Sequence, residues 1–458
     1  MNGLTATEIR AVLALSGVFA SRMMGLFMIM PIIAVYGKNL QGYSPERIGM
    51  AIGIYGLLQA VLQIPLGRLS DRFPRKPMII VGMLIFAAGA VVSALSSSIQ
   101  GVILGRAIQG SGAISAIAMA LLADLTREEH RSKAMAVVGM TIGLSFSLAF
   151  ILAPLLVGVG GLQAVFWATA VMALGGALIC LVAVPQPALI QKINPTAGVF
   201  PLTKLLLQPQ LLSINITVFC LHAVMASLWL NIPFLLKTQG HLPVSQQAWF
   251  YLPVMLSAFL GCIPFIIIAE KKFYLRTVLS GGLFTMISAI GLMAVLTTGK
   301  TSLISGLFLY FLAFNLLEAL LPSMISKITP AGTRGTSMGI FSTFQFLGPA
   351  LGGVTGGWLA TKNVDLQHSL LLTTLPLFGC ALLLISMKAI RPLKNYILHF
   401  EHHSPAELPA LIQRIAQIAG VEETILLAEQ NIAYLKADPR IFDLSSLEPY
   451  SVHAVAGS

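Results

Sequence analysis

Charged residues are scarce in this chain. Asp, Glu, Lys and Arg make up only 10% of the 458 residues, whereas 56% are apolar. Soluble domains carry roughly 25% charged residues, so the composition excludes a soluble globular protein and indicates one that crosses a membrane many times. Cysteine is also scarce. The four cysteines lie inside apolar segments, which argues against a disulfide framework or a cysteine metal site: Cys180, Cys220, Cys262 and Cys380.

The motifs of catalysis are lacking as well. No nucleophile–base pair, phosphate-binding loop or metal-ligand spacing stands out along the sequence. We therefore expect no enzyme, no cofactor and no metal site.

The charge is unevenly distributed. Residues 1–394 hold 25 Lys and Arg against 9 Asp and Glu, whereas residues 395–458 hold 3 against 8. The basic part coincides with the apolar body, so nucleic acid is a poor explanation for its charge. The acidic tail is a separate unit.

Apolar runs of about 20 residues predict an all-α membrane protein with twelve transmembrane helices. A Pro-containing linker at residues 185–209 separates two sets of six, at residues 1–184 and 210–390. The predicted spans are 8–36, 47–67, 77–96, 98–124, 133–157, 162–184, 210–236, 244–269, 274–297, 301–327, 334–360 and 367–388.

The positive residues orient these spans. With the N-terminus inside, the inner ends and loops hold eighteen Lys and Arg, and the outer loops hold five. This asymmetry predicts that both termini are cytoplasmic in a multi-pass protein of the cell (inner) membrane. The two halves also resemble each other, because Arg131–Met135 and Arg334–Met338 share a pattern 203 residues apart.

Two motifs stand out against this background. The loop Gly67–Lys76 packs four cations and one carboxylate between two spans, and the segment Arg106–Ala113 reads Arg-Ala-Ile-Gln-Gly-Ser-Gly-Ala. The loop resembles the signature loop of the major facilitator superfamily, with Pro74 where that family usually has glycine, and the second segment resembles the family's span-four motif. Exporters of this family carry a glycine-proline pattern in span five. Here span five matches that pattern only in part, and the fuller version, Gly348–Gly353, lies at the symmetry-related place in span eleven, so the chain resembles the 12-span drug:proton antiporters.

The resemblance implies a fold of two pseudo-symmetric six-helix bundles with the substrate site between them. It also implies a conformational switch, in which Asp71 contacts the inner start of span eleven and holds the cytoplasmic side shut. The residues assigned to this switch are Gly67, Asp71, Arg72, Arg75, Lys76, Asp124 and Arg131.

Four ionisable residues lie deep inside predicted spans: Arg22, Arg106, His222 and Glu318. A charge at the bilayer centre costs at least about 2.5–3.5 kcal/mol, so these side chains should face the interior of the bundle. Burial disfavours the ionised form of a carboxyl group, and imidazole titrates near neutral pH. Glu318 and His222 are therefore candidates for proton coupling, and the resemblance adds Arg106. Structural ion pairs or hydrogen bonds between helices are the alternative for each.

A polar and methionine-rich set is predicted to line the substrate cavity. Met side chains form an adaptable apolar wall, and Tyr55 and Gln59 share one helical face. Ordinary helix packing accounts for these residues equally well. The candidates are Arg22, Met24, Met28, Tyr55, Gln59 and Asn315.

Residues 395–458 have the pattern of a small α+β domain. Apolar residues of 408–418 recur at helical spacing before Gly420, and strand-like segments flank this helix. The order βαββαβ predicts a ferredoxin-like cytoplasmic domain. The chain resembles those 12-span transporters that carry such an appended domain, and in them the tail is a regulatory or docking element. Here it could dock on the basic cytoplasmic loops or bind an unknown ligand.

The sequence thus favours a secondary active transporter. The leading interpretation is a proton-driven antiporter that exports a small amphipathic or hydrophobic compound by alternating access. Uptake by a proton-coupled symporter and a non-transporting sensor that signals through the C-terminal domain are the alternatives. The expected partners are a small-molecule substrate, protons and the lipid bilayer, with no nucleic acid, and the protein is expected to be a monomer.

Overall fold

A computed structural model gives the fold of the chain. The residues that it describes are 4–70, 73–186, 202–271, 274–295, 300–329, 334–362, 365–387, 394–400, 407–427, 432–438, 441–450 and 453–457.

Helices dominate the described part of the chain up to residue 387. They are α1 (Ala6–Phe27), α2 (Met30–Tyr36), α3 (Pro45–Leu69), α4 (Arg75–Leu95), α5 (Ile99–Ser111), α6 (Ser115–Asp124), α7 (Glu128–Ala183), α8 (Leu202–Leu207), α9 (Pro209–Trp229), α10 (Ile232–Thr238), α11 (Val244–Lys271), α12 (Leu275–Val295), α13 (Lys300–Ile328), α14 (Arg334–Thr361) and α15 (Leu366–Ser386).

Ten described segments are long and apolar enough to cross a membrane. One of them, Val137–Ala183, has 47 residues and would extend about 70 Å as a straight helix, more than twice the hydrocarbon core. The chain leaves helical geometry inside it at Gly160 and at Gly161, whose φ is 64°. Predicted spans five and six therefore fall on the two sides of this break. Helix α14 has 28 residues but is not among the ten.

Predicted spans one and seven each consist of two helices. Pro31 and Pro233 lie in the first turns of α2 and α10. Proline lacks the N–H that would bond to the carbonyl four residues earlier. The preceding helices α1 and α9 end at those fourth residues, Phe27 and Trp229. The same local cause thus interrupts both helices at corresponding places.

Helix α14 lies close to a helix of each half. A Cβ atom on Gly353 would lie 2.6 Å from the carbonyl oxygen of Gly49 in α3, and one on Gly348 would lie 2.5 Å from that of Phe219 in α9. Such backbone approach is possible only where side chains are absent. The glycines of the Gly348–Gly353 motif therefore place α14 between α3 and α9.

The described C-terminal residues form a sheet with a core of its own. Its strands are β1 (Lys394–His399), β2 (Val421–Leu427), β3 (Ile432–Ala437) and β4 (His453–Gly457), and α16 (Leu408–Ile415) lies between β1 and β2. The order is β2-β3-β1-β4 and all pairings are antiparallel. Leu398 of β1 and Ile415 of α16 are fully buried in a cluster separate from the membrane body.

Candidate functional site

Three helices of the second half meet at a polar site in the membrane. Glu318 is on α13, His222 on α9 and Gln345 on α14. The amide Nε2 of Gln345 donates to Glu318 Oε1 at 2.7 Å and lies 3.4 Å from His222 Nε2. Glu318 Oε2 is 3.5 Å from the same imidazole nitrogen. The two residues predicted as proton carriers therefore lie side by side.

The proton arrangement of this site follows from its contacts. His222 Nδ1 lies 3.0 Å from the carbonyl oxygen of Val218, which can only accept, so Nδ1 carries a hydrogen. In the neutral imidazole Nε2 then holds a lone pair that faces Glu318. One further proton can reside on either side of the 3.5 Å gap. The Glu318 side chain is 23% exposed and that of His222 only 6%, but Glu318 Oε2 itself is buried and has no hydrogen-bond partner among the described residues.

A second polar cluster lies in the first half, around Arg22 of α1. The guanidinium donates to Gln59 Oε1 at 2.5 Å, to Ser115 Oγ at 3.1 Å and to the Tyr55 hydroxyl at 3.4 Å. Gln59 in turn donates to Gln63 Oε1 at 3.2 Å. All five residues are buried, and the cluster joins α1, α3 and the start of α6.

Arg106 extends this cluster on α5. Its guanidinium carbon lies 4.6 Å from the centre of the Tyr55 ring. The guanidinium donates to Gln109 Oε1 at 3.1 Å and to the carbonyl oxygen of Ala51 at 3.3 Å. The contacts of Arg106 in the described part of the chain include no carboxylate. Arg106 contacts neutral groups instead.

The helix ends on the predicted cytoplasmic side of the first half are joined by an ion pair and by hydrogen bonds. Arg75 at the start of α4 forms an ion pair with Asp124 at the end of α6 and donates to the carbonyl of Ala120 at 3.1 Å. Lys76 donates to the carbonyl of Val184 at 2.7 Å. Three predicted switch residues, Arg75, Lys76 and Asp124, thus lie at one inner surface.

The rest of the predicted switch is less fully described. Asp71 and Arg72 lie outside the described residues, and Arg131 belongs to α7 with its side chain outside the description. Gly67 lies near the end of α3. Pro74 is the residue before α4, with a φ of −59°.

The predicted cavity residues divide into two groups. Arg22, Tyr55 and Gln59 are brought together, as described above. Met28 is fully buried and Met24 partly so, and Asn315 is buried with its Nδ2 lacking a partner in the described structure. Asn315 Nδ2 therefore makes no hydrogen bond to Glu318, which follows one turn later in the same helix.

A cavity of about 600 Å³ lies elsewhere, between α11 and α13. Aromatic and aliphatic side chains line it, including Trp249, Phe250, Ile304 and Phe308. Its lining contains none of the residues predicted for the substrate site.

Sequence reasoning missed two important side chains. Gln345 was overlooked because burying one uncharged amide in an apolar helix costs little free energy. A polar residue in a predicted span was nevertheless a usable signal. Glu8 is the other side chain. Its carboxylate accepts from Thr5 N at 2.7 Å and from Arg127 N at 2.8 Å. The Thr-x-x-Glu pattern of a capping box could have identified it.

The family comparison decides the class of the protein. The model of the Major Facilitator Superfamily matches residues 15–353. The chain belongs to this superfamily. It is accordingly a multi-pass inner-membrane transporter and not an enzyme, as predicted.

Curated relatives agree with this assignment. The inner membrane transport protein YajR of Escherichia coli (strain K12) is 41% identical over 459 residues, covering 97% of this chain and 98% of YajR. The multidrug resistance protein MdtH of Aeromonas salmonicida (strain A449) is 28% identical, covering 73% of this chain and 82% of MdtH.

Solved structures show the same fold. A bacterial homologue of the human lysosomal transporter Spinster, in an inward-facing and unoccupied conformation, aligns with a TM-score of 0.69 at 17% identity, covering 83% of this chain and 97% of that one. The human organic anion transporter MFSD10 aligns with a TM-score of 0.63 at 18% identity, covering 83% and 100% of the two chains.

Proposed function

We propose that this chain is a proton-driven antiporter that exports a small amphipathic or hydrophobic compound by alternating access. The contact of Glu318 with His222 and Gln345 carries the proposal. A carboxyl group deep in a span is costly to ionise, and here it lies beside an imidazole that can take its proton. The name of the MdtH relative, a multidrug resistance protein, agrees with export.

Helix α14 connects this proton site to the contact between the halves. Gln345 donates to Glu318, and two turns later Gly353 approaches the backbone of α3. Protonation of Glu318 removes the negative charge that holds the Gln345 amide and any imidazolium at His222. A change of charge on α13 therefore acts on the helix that touches the opposite half.

We assign twelve spans in two six-helix bundles to this transporter. The support is the break at Gly160 and Gly161, the length of α14, and the matching interruptions before Pro31 and Pro233. We also assign residues 395–458 to a ferredoxin-like cytoplasmic domain, because its order β2-β3-β1-β4 with antiparallel pairing is that of a split βαβ unit.

The signature loop is proposed to act as the cytoplasmic switch. The ion pair of Arg75 with Asp124 fixes the start of α4 against the end of α6. Asp71 precedes this anchored point by four residues in the sequence and is the carboxylate of the proposed switch. A carboxylate at a helix N-terminus gains about 0.3–2 kcal/mol, enough to bias a balance between two states.

The Glu318→Gln substitution tests proton coupling. The amide keeps the size of the side chain and cannot release a proton. In proteoliposomes with an imposed gradient of the transported compound, we expect the wild-type protein to move protons. The proton flux of Glu318→Gln should fall to the level of protein-free vesicles. Glu46→Gln is the control, because Glu46 is an exposed acid in the first turn of α3. Wild-type proton flux in Glu318→Gln would refute the proposed coupling residue.

A further inference from the structure

The Arg22 cluster has more hydrogen-bond donors than acceptors. Arginine only donates, so Gln59 must turn its Oε1 to Arg22 and its Nε2 to Gln63. Gln63 then accepts through Oε1 and has its own Nε2 left over. That atom is buried and has no hydrogen-bond partner among the described residues. The orientation of both amides is therefore fixed by the guanidinium.

Arg106 produces the same excess. Its Nη1 donates a hydrogen bond to Gln109 Oε1, so Gln109 Nε2 faces away from the guanidinium. Four buried nitrogen atoms of the two arginines and two glutamines lack a partner in the described structure: Arg22 Nε, Gln63 Nε2, Arg106 Nη2 and Gln109 Nε2. All four are donors. Buried polar atoms are normally paired, so the cluster lacks acceptors.

The cluster also lacks negative charge. Arg22 is fully buried and Arg106 is 1% exposed, and neither forms an ion pair with a described carboxylate. Tyr55 contacts both guanidinium groups, so the two positive charges belong to one site. An unpaired charge is expensive in a low-dielectric interior.

A helix terminus adds a third positive element. Helix α6 begins at Ser115 inside the membrane, and its preceding residue Ile114 provides no side-chain cap. The positive end of the helix dipole thus lies where Arg22 contacts Ser115. Guanidinium groups, amide donors and a free helix start are together the groups that bind an anion.

We propose that this cluster binds the carboxylate of the transported compound, so that the exported substrate is an organic anion. The donors are enclosed in this conformation, and the ligand reaches them when the helices around Arg22 separate during the transport cycle. This inference rests on the proposed transport function and names the substrate class of the first-half site. The hydrophobic part of the ligand would lie against Phe86, whose ring is 5.9 Å from the Arg22 guanidinium carbon.

A matched pair of probes tests the charge requirement. The full chain in lipid nanodiscs is heated with potassium 4-phenylbutyrate, with the uncharged 4-phenylbutyramide, or with potassium chloride at the same concentration. We expect the carboxylate alone to raise the unfolding midpoint of the wild type. Equal shifts with acid and amide would overturn the proposal, and an equal shift with chloride would show an inorganic-ion site only and also overturn it.

Two variants locate the effect. Gln63→Glu supplies the missing carboxylate from the chain itself, so we expect it to abolish the shift caused by 4-phenylbutyrate. Arg22→Gln should weaken apparent binding about ten- to hundredfold, as for loss of a charged hydrogen bond. Gln246→Glu, at an exposed position in α11, should retain the full shift. A full midpoint shift in Gln63→Glu would contradict the proposed anion site even if Arg22→Gln does not fold.

Proton flux separates this inference from the proposed antiport. If carboxylates stabilise the protein but no compound drives protons through wild-type proteoliposomes, the anion site stands and antiport fails. If neutral or cationic compounds drive a flux that Glu318→Gln abolishes while carboxylates have no effect, antiport stands and the anion site fails.

Discussion

Glu8 joins two helices at the inner end of the first half. Its side chain is 5% exposed, and it accepts hydrogen bonds from Arg127 Nε at 3.1 Å and from Arg127 N at 2.8 Å. It also closes the capping box with Thr5 at the start of α1. One carboxylate thus accepts from one backbone N–H at the start of α1 and one at the start of α7, groups that lack a partner within their own helix.

We expect Glu8→Ala to lower the stability of the protein by about 1–3 kcal/mol, the cost of losing a cap together with a charged hydrogen bond. The measurement is the thermal unfolding midpoint in nanodiscs. Glu46→Ala is the matched control, because Glu46 is also an acid in the first turn of a helix but is exposed. Equal midpoints for the two variants would contradict the role given to Glu8.

Individual residues also show what the sequence could and could not predict. Glu318 and His222 were identified separately because lipid penalises ionisable groups wherever they occur in a span. Their proximity was not predictable, since it depends on how α9 and α13 pack. Gln345, which bridges them, was missed because an amide has no net charge and costs far less to bury.

At the scale of the helix, the glycines of α14 determine how the halves meet. Gly353 lies against the backbone of α3, where a Cβ atom would be 2.6 Å from Gly49 O and 3.1 Å from Gly53 N. Backbone atoms cannot move aside as a flexible side chain can, so any side chain at position 353 must push the two helices apart.

We expect Gly353→Ala to destabilise the protein by about 1–3 kcal/mol through overpacking. Gly339→Ala, in the same helix, is the matched control, because a Cβ atom there meets nothing within 4 Å. The helix propensity of alanine should stabilise this control by up to about 1 kcal/mol. Unfolding midpoints that change equally in the two variants would disprove the close contact of α3 with α14.

The helix breaks mark a limit of hydropathy. Apolar content predicted continuous spans at 8–36 and 98–124, but α1 stops at Phe27 and α5 stops at Ser111. Lipid requires apolar side chains and is indifferent to where the helix bends, so hydropathy cannot report a bend. Pro31 was a signal for the first break. The second break lies at Gly112, whose ψ of 47° is not helical and which approaches the backbone of Gly82 in α4, a tertiary contact.

At the scale of the whole molecule, the membrane body and the tail have separate cores. Leu398, Ile415 and Leu435 pack within the C-terminal sheet and α16, whereas the membrane helices share one continuous cluster. The body therefore does not need the tail for its own burial. The opposite charges of the two parts, 25 Lys and Arg against 9 Asp and Glu in the body and 3 against 8 in the tail, favour docking of the tail on the inner loops.

Removal of residues 395–458 distinguishes a docked tail from an independent one. Since the body buries its own core, we expect the truncated chain to insert and to keep its proton flux measurable. Charge attraction between exposed groups is screened within about 10 Å at 0.1 M salt. If the tail docks, raising the salt concentration should bring the proton flux of the full chain closer to that of the truncated chain. The flux of the truncated chain should itself change little with salt. Identical salt responses of the two proteins, with identical unfolding midpoints, would mean that the acidic tail makes no functional contact with the basic loops.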